Sequence, residues 1–144
     1  MDKSKINIAL SGEQFRHLLD LVYVGNWVLN SMRGEDRIDE YDSLESHIFS
    51  YCEKTGLRGL IERGPDIIPS RRYEEGGIHE AIMDYEDVVF FEILAEELAR
   101  RDMRDKDADG EDFEELQQKI DEYMEEFSQN GIDNILIEGY EPEE

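Results

Sequence analysis

Apolar residues recur at helical spacing along most of this chain. Ser11-Gly12-Glu13-Gln14 opens the first such stretch with a capping-box signature, so a helix is predicted over about 12–32. Its main stripe is Phe15, Leu18, Leu19, Val22, Leu29 and Met32, and Leu21, Val24, Trp27 and Val28 widen it around most of the circumference. A helix apolar on so many sides is expected at the centre of a bundle. Gly25 interrupts it at a propensity cost of ~1 kcal/mol, which a close helix crossing would explain. A second helix is predicted over about 37–55, with Ile38, Tyr41, Leu44, Ile48 and Tyr51 on one face. Gly56 is its stop residue, and Leu57 is placed for the accompanying hydrophobic contact.

A third helix is expected over about 78–104, with Asp84 as an internal cap. Its inward face would hold Tyr85, Val88, Val89, Phe91, Leu94, Ala95 and Leu98. Glu96–Arg100 and Glu97–Arg101 are i,i+4 pairs in the favourable order. The fourth helix, about 111–129, repeats Phe113, Leu116, Ile120, Tyr123 and Phe127 as a narrow seam, and Asn130-Gly131 ends it.

Two short segments break the helical period. Ile6, Ile8 and Leu10 alternate with Asn7 and Ala9, and Ile135-Leu136-Ile137 is a second strand-like run. Between the helices, Gly64-Pro65, Pro69 and Gly76-Gly77 mark 64–77 as unsuited to regular structure. The fold class that follows is mainly α: a four-helix, bundle-like single domain over residues 1–144. A small two-stranded β element would pair the N- and C-terminal segments, with 139–144 as a frayed acidic tail.

Composition adds a core and a sign. The chain has 144 residues, near the size of one domain, and its hydrophobic fraction of 39% is enough to build one core despite the charge. The formal net charge is −23, and it is graded. Residues 1–34 hold 3 acids and 4 bases, whereas residues 111–144 hold 13 acids and only Lys119. Burial of the first helix accounts for the neutral end. The acidic end argues against direct binding to nucleic acid or to an anionic membrane, both polyanions. The densest apolar run, Val88 to Phe91, is far below the ~20 residues that span a bilayer. Ile6 to Leu10 is too short for a signal-peptide core. Cys52 is the sole cysteine, so no internal disulfide forms, and a buried thiol is expected. A cytoplasmic location is the expectation.

The sharpest chemical motif is Asp105-Lys106-Asp107-Ala108-Asp109-Gly110, alternate carboxylates followed by glycine, as an EF-hand loop opens. Asp105, Asp107 and Asp109 are the candidate Ca²⁺ ligands of a degenerate loop over 105–115. Its twelfth position is Leu116, where a bidentate glutamate belongs, so a helix–helix turn competes with the metal reading. His79-Glu80-Ala81-Ile82-Met83 starts like a zinc-protease motif but puts Met83 where the second histidine must stand. His17, His47 and His79 fall on different elements. The i,i+4 carboxylates Glu80/Asp84, Glu92/Glu96, Asp121/Glu125 and Glu122/Glu126 read as solvated faces, whereas Glu92, between Phe91 and Ile93, would need a partner if buried. No catalytic residue stands out. The chain is therefore expected to be a non-catalytic interaction or regulatory module whose partner is a protein with a basic surface, or a second copy in a homodimer. Ca²⁺ binding at 105–115 is one alternative. An enzyme with its site beside loop 64–77, near Arg71, Arg72, His79 and Glu80, is the other.

Overall fold

The structure is a computed structural model and describes residues 4–103 and 110–139. It is mainly helical with one two-stranded antiparallel sheet. The helices are α1 (Gly12–Asn30), α2 (Asp39–Ser50), α3 (His79–Asp102) and α4 (Gly110–Asn130), and the strands are β1 (Ile61–Arg63) and β2 (Ile67–Pro69). The chain divides into two compact units, Met1–Ile82 and Met83–Glu144. Among the described residues, no helix is long and apolar enough to cross a membrane.

The helix ends are where local chemistry places them. Ser11 Oγ accepts from Gln14 N at 3.1 Å while Gln14 Oε1 accepts from Ser11 N at 2.9 Å, so both halves of the capping box form. After α2, a 3₁₀ turn over Tyr51–Glu53 runs to Gly56, whose φ of +79° only glycine adopts without strain. Leu57 N then donates to Cys52 O at 3.1 Å, and Leu57 packs on the core. Gly131, at φ +58°, closes α4 in the same way through its bond to Phe127 O.

The β element differs from the expectation. The terminal segments do not pair. Residues 4–10 and 135–137 have no regular structure, and Ile6, Ile8, Leu136 and Ile137 are exposed. Alternation marks a strand only where one face is covered, and none of these four is. The sheet instead lies inside the stretch expected to be irregular. The Gly64-Pro65-Asp66 turn folds β1 against β2, pairing Ile61 with Pro69 and Arg63 with Ile67. Pro69 ends its strand, where a missing N–H is tolerated. Ser70 then caps a short helical turn by accepting from Tyr73 N at 3.2 Å, and Gly77, at φ +107°, redirects the chain into α3. The helix α3 runs unbroken through Asp84.

In the first unit, α1, α2, the hairpin and this turn enclose a core of Leu19, Tyr23, Phe49, Cys52, Tyr73 and Ile82. Tyr73, 1% exposed, meets Tyr23 edge-on at 5.2 Å and Phe49 at 5.1 Å between ring centroids. Its hydroxyl donates to Asp20 Oδ1 at 2.8 Å, so the buried phenol is satisfied. Cys52 is wholly buried, and burial pushes its thiol pKa up, as befits an unreactive core thiol.

Among the described residues of the second unit, those buried are Ala95 and Ala99 on α3, Met103 and Phe127 of α4. Phe127 packs on Phe91 at 5.5 Å and on Tyr123 at 6.0 Å. Of the expected inward face of α3, Ala95 is buried and Val89, Phe91, Leu94 and Leu98 are partly so, whereas Tyr85 and Val88 are exposed and Ala99 is buried as well. Glu92 is exposed and needs no partner. Glu96 pairs with Arg100 at 2.6 Å, whereas Arg101 turns to Asp102 instead of Glu97. On α4, Asp121, Glu122 and Glu125 face water.

Candidate functional site

The polar residues of unit one gather where α1 meets α2. Asn26 and Asn30 sit one turn apart on the buried face of α1, 8% and 1% exposed. Two polar amides on a buried face must be satisfied, and they are. Asn30 Oδ1 accepts from Ile38 N at 2.8 Å, and its Nδ2 donates to Ile38 O at 3.1 Å and to Asn26 Oδ1 at 2.9 Å. This side chain therefore acts as a strand-like clamp on the backbone that enters α2. Asn26 Nδ2 donates to Asp42 Oδ1 at 2.9 Å. Arg37 closes the network with a two-pronged bond to Asp42, 2.8 Å from Nε and 2.6 Å from Nη2. The Arg37 fork, helped by the Asn26 amide, holds the Asp42 carboxyl at a pKa of about 2.

Glu45, one turn along α2, is half-buried and has the opposite fate. Burial pushes its pKa up to about 7; Asn26 bonds to it and opposes the rise, while the charges on Asp42 and Glu74 add to it. Tyr23 joins this carboxylate group to an imidazole. Its hydroxyl donates to Glu74 Oε1 at 3.3 Å and lies 2.8 Å from His79 Nε2. The imidazole stands edge-on to Trp27 at 4.8 Å. Burial, then the neighbouring Glu74 charge, pushes the Tyr23 pKa well above that of a free phenol, so it is a proton donor at every physiological pH.

These groups border a cleft of about 640 Å³, whose lining includes Tyr23, Asp42, Glu45, Asp66 and Glu74. A smaller hollow of about 330 Å³ shares Tyr23, Glu45 and Glu74 and adds Asn26 and Trp27. Arg37 is the one cation in either lining, and Asp42 already neutralises it. Ile67, Ile68 and Pro69 of the hairpin supply an apolar wall. Ser46 lies in the lining with its Oγ accepting from Ile67 N at 3.1 Å, which ties the hairpin to α2. The arrangement suits a cationic group: it offers carboxylates and an apolar wall, with little competing positive charge.

The chain matches no known protein family, no curated protein and no solved structure. The site must be read from its chemistry.

The residues singled out from sequence are scattered. The proposed Ca²⁺ ligands Asp105, Asp107 and Asp109 lie outside the described residues. Among the described residues, no three His, Cys, Asp or Glu side chains gather as a metal site would require. His17 is exposed, His47 stacks edge-on with Tyr51 at 5.5 Å, and His79 alone of the three contacts a lining residue of the cleft, Tyr23. Arg71 and His79 share a hollow of about 590 Å³ with Glu62, Glu74 and Glu75, and Arg71 pairs with Glu75 at 2.6 Å, whereas Arg72 lies across Gly59 and Glu80 is exposed, so the loop group comes together only in part. Glu45, Glu74, Asp42 and the two asparagines were not singled out. A signal for them exists: Asn26 and Asn30 at i,i+4 are the polar side chains in the twelve uncharged residues between Asp20 and Arg33, with Ser31 beside them. Their burial is a tertiary fact.

Proposed function

We propose that the chain is a non-catalytic interaction module that receives a basic segment of a protein partner at the cleft between α1, α2 and the β1–β2 hairpin. One observation carries this reading: a cleft of about 640 Å³ lined by carboxylates whose only cation, Arg37, is already paired. An arginine or lysine side chain entering there would meet Glu45 and Glu74, with Tyr23 and Trp27 close by. Its stem would lie on the apolar hairpin wall. A cation beside Glu45 favours the ionised form of that carboxyl, so binding near neutral pH would release a proton. The net charge of −23 would steer a basic partner inward and make association salt-sensitive.

The test titrates the whole chain with a short arginine-rich peptide, followed by the fluorescence of Trp27, the only tryptophan. Binding should weaken as salt rises and as pH falls below 7, and the Glu45→Gln, Glu74→Gln double variant should lose roughly tenfold or more in affinity. Equal binding by the double variant would show that the peptide is held by overall charge and not by the cleft.

A further inference from the structure

Most of the longest uncharged stretch in the chain lies in α1. Between Asp20 and Arg33 there are twelve residues without Asp, Glu, Lys, Arg or His, in a protein with 37% charged residues. Within it Leu21 is 73% exposed, Val28 69% and Met32 94%. With half-buried Leu18 and with Gly25 they follow a 3, 4, 3, 4 spacing, which places Leu18, Leu21, Gly25 and Val28 on one narrow stripe of α1, with Met32 in the turn just past its end. The buried residues Leu19, Tyr23, Asn26 and Asn30 define the opposite side. A Cβ added at Gly25 would have nothing within 4 Å, so no contact within the described chain requires the missing side chain. Glycine in mid-helix destabilises it, and it offers the closest approach for another backbone.

From this face we infer that the protein forms a homodimer in which the α1 stripe of one copy packs on the same stripe of a second. Charge selects the occupant. Two copies, each at −23, repel wherever carboxylates meet, and the uncharged stripe is the approach that avoids like-charge contact. A basic partner gains nothing at a stripe that offers it no carboxylate. Area agrees. The exposed parts of Leu21, Val28, Met32 and Leu29, with Leu18 and Gly25, amount to roughly 500 Å² per copy, or about 1,000 Å² for the pair, the size at which specific association begins. The stripe is self-complementary, as a two-fold interface must be, and Gly25 lies at its midpoint, where the helices would cross. The inference stands apart from the cleft, which opens on other residues.

Sedimentation equilibrium of the whole chain over a range of concentrations tests it. The mass should rise from 16.9 kDa toward twice that value, and the association should strengthen with added salt, because screening removes the repulsion. That is opposite to the salt dependence expected for a basic peptide in the cleft, so either reading can fail without the other. Leu21→Glu, which puts a carboxylate on the stripe, should raise the dissociation constant roughly tenfold or more while leaving the circular dichroism spectrum unchanged. Gly25→Leu adds no charge and favours the helix, so dimer loss in this variant cannot be ascribed to misfolding. A native chain that stays at 16.9 kDa at high salt would overturn the inference, as would self-association of both variants like that of the native chain.

Discussion

The two faces of α1 invert the usual order of inside and outside. The inner face buries Asn26 and Asn30 beside Leu19 and Tyr23, whereas the outer face shows Leu21, Val28 and Met32 to solvent. Between Asp20 and Arg33 both faces are uncharged, so charge alone would not rank them. What separates them is hydrogen bonding. The inner amides have backbone and carboxylate partners that only the α1–α2 junction supplies, and they are satisfied in full. The outer side chains have no polar partner to seek and expose apolar surface at a standing cost. Buried polarity here builds a cleft, and exposed apolarity supplies the face inferred to pair with a second copy.

The comparison is broken most severely from the inside. Leu19 is fully buried among Tyr23, Phe49 and Tyr73, so Leu19→Ala should cost about 3–4 kcal/mol through lost transfer energy and a residual cavity. Chemical denaturation of the variant checks this. A loss below about 1 kcal/mol would mean that the inner face is not the packed one. Asn30→Ala comes next. It leaves the N–H and C=O of Ile38 without their clamp, and should cost about 2–3 kcal/mol while loosening the entry to α2. Faster amide exchange at Ile38 would locate the effect. Unchanged protection there would show that the clamp does not hold this junction.

The elements were legible in the chain to the extent that their signals are local. Capping at Ser11, stops at Gly56 and Gly131, and the four helical periods depend on neighbours within a turn or two, and all reappear. The terminal strand pair failed because alternation in Ile6–Leu10 says nothing about whether a partner strand exists. The hairpin at 61–69 was hidden because two three-residue strands around Gly64-Pro65 give too short a pattern to count. The cleft was less legible still. Glu45 reads as one of many surface acids on an amphipathic helix. It becomes unusual only when Asn26, Asp42 and Glu74 are brought around it from three elements. Asp42 is its i−3 neighbour on α2, but Asn26 and Glu74 are far from it in sequence, and no spacing rule reaches them.

The charge network sharpens the inner face through pH. The Asp42 carboxyl, at about 2 in the folded chain against an ordinary value near 4, binds protons less readily when folded. Its stabilisation is therefore present above pH ~4 and is lost as pH falls toward 2. Glu45 has the reverse sign. Its folded pKa of about 7 lies above its unfolded value, so the folded state holds the extra proton, and stability declines as pH rises from about 4.5 to 7. Since Glu45 is only half-buried, solvent screening limits the decline to about 1–2 kcal/mol. Thermal melts across pH should peak near 5, and Glu45→Gln should flatten the alkaline side. A native profile that does not fall between pH 5 and 7 would remove Glu45 from the buried network.

The smallest expected effect is the most discriminating, because its sign changes with concentration. Gly25→Ala fills open space and removes a mid-helix glycine, so the dilute monomer should gain about 0.5–1 kcal/mol. In the dimer the same methyl sits at the crossing point and holds two backbones apart, so the concentrated protein should lose affinity. Melting temperatures of the native chain and the variant should therefore converge, or cross, as concentration rises. If Gly25→Ala is more stable by the same amount at every concentration, the glycine serves no crossing, and the outer face of α1 is merely exposed. If the curves cross, the destabilising glycine is explained by a contact that only a second copy makes.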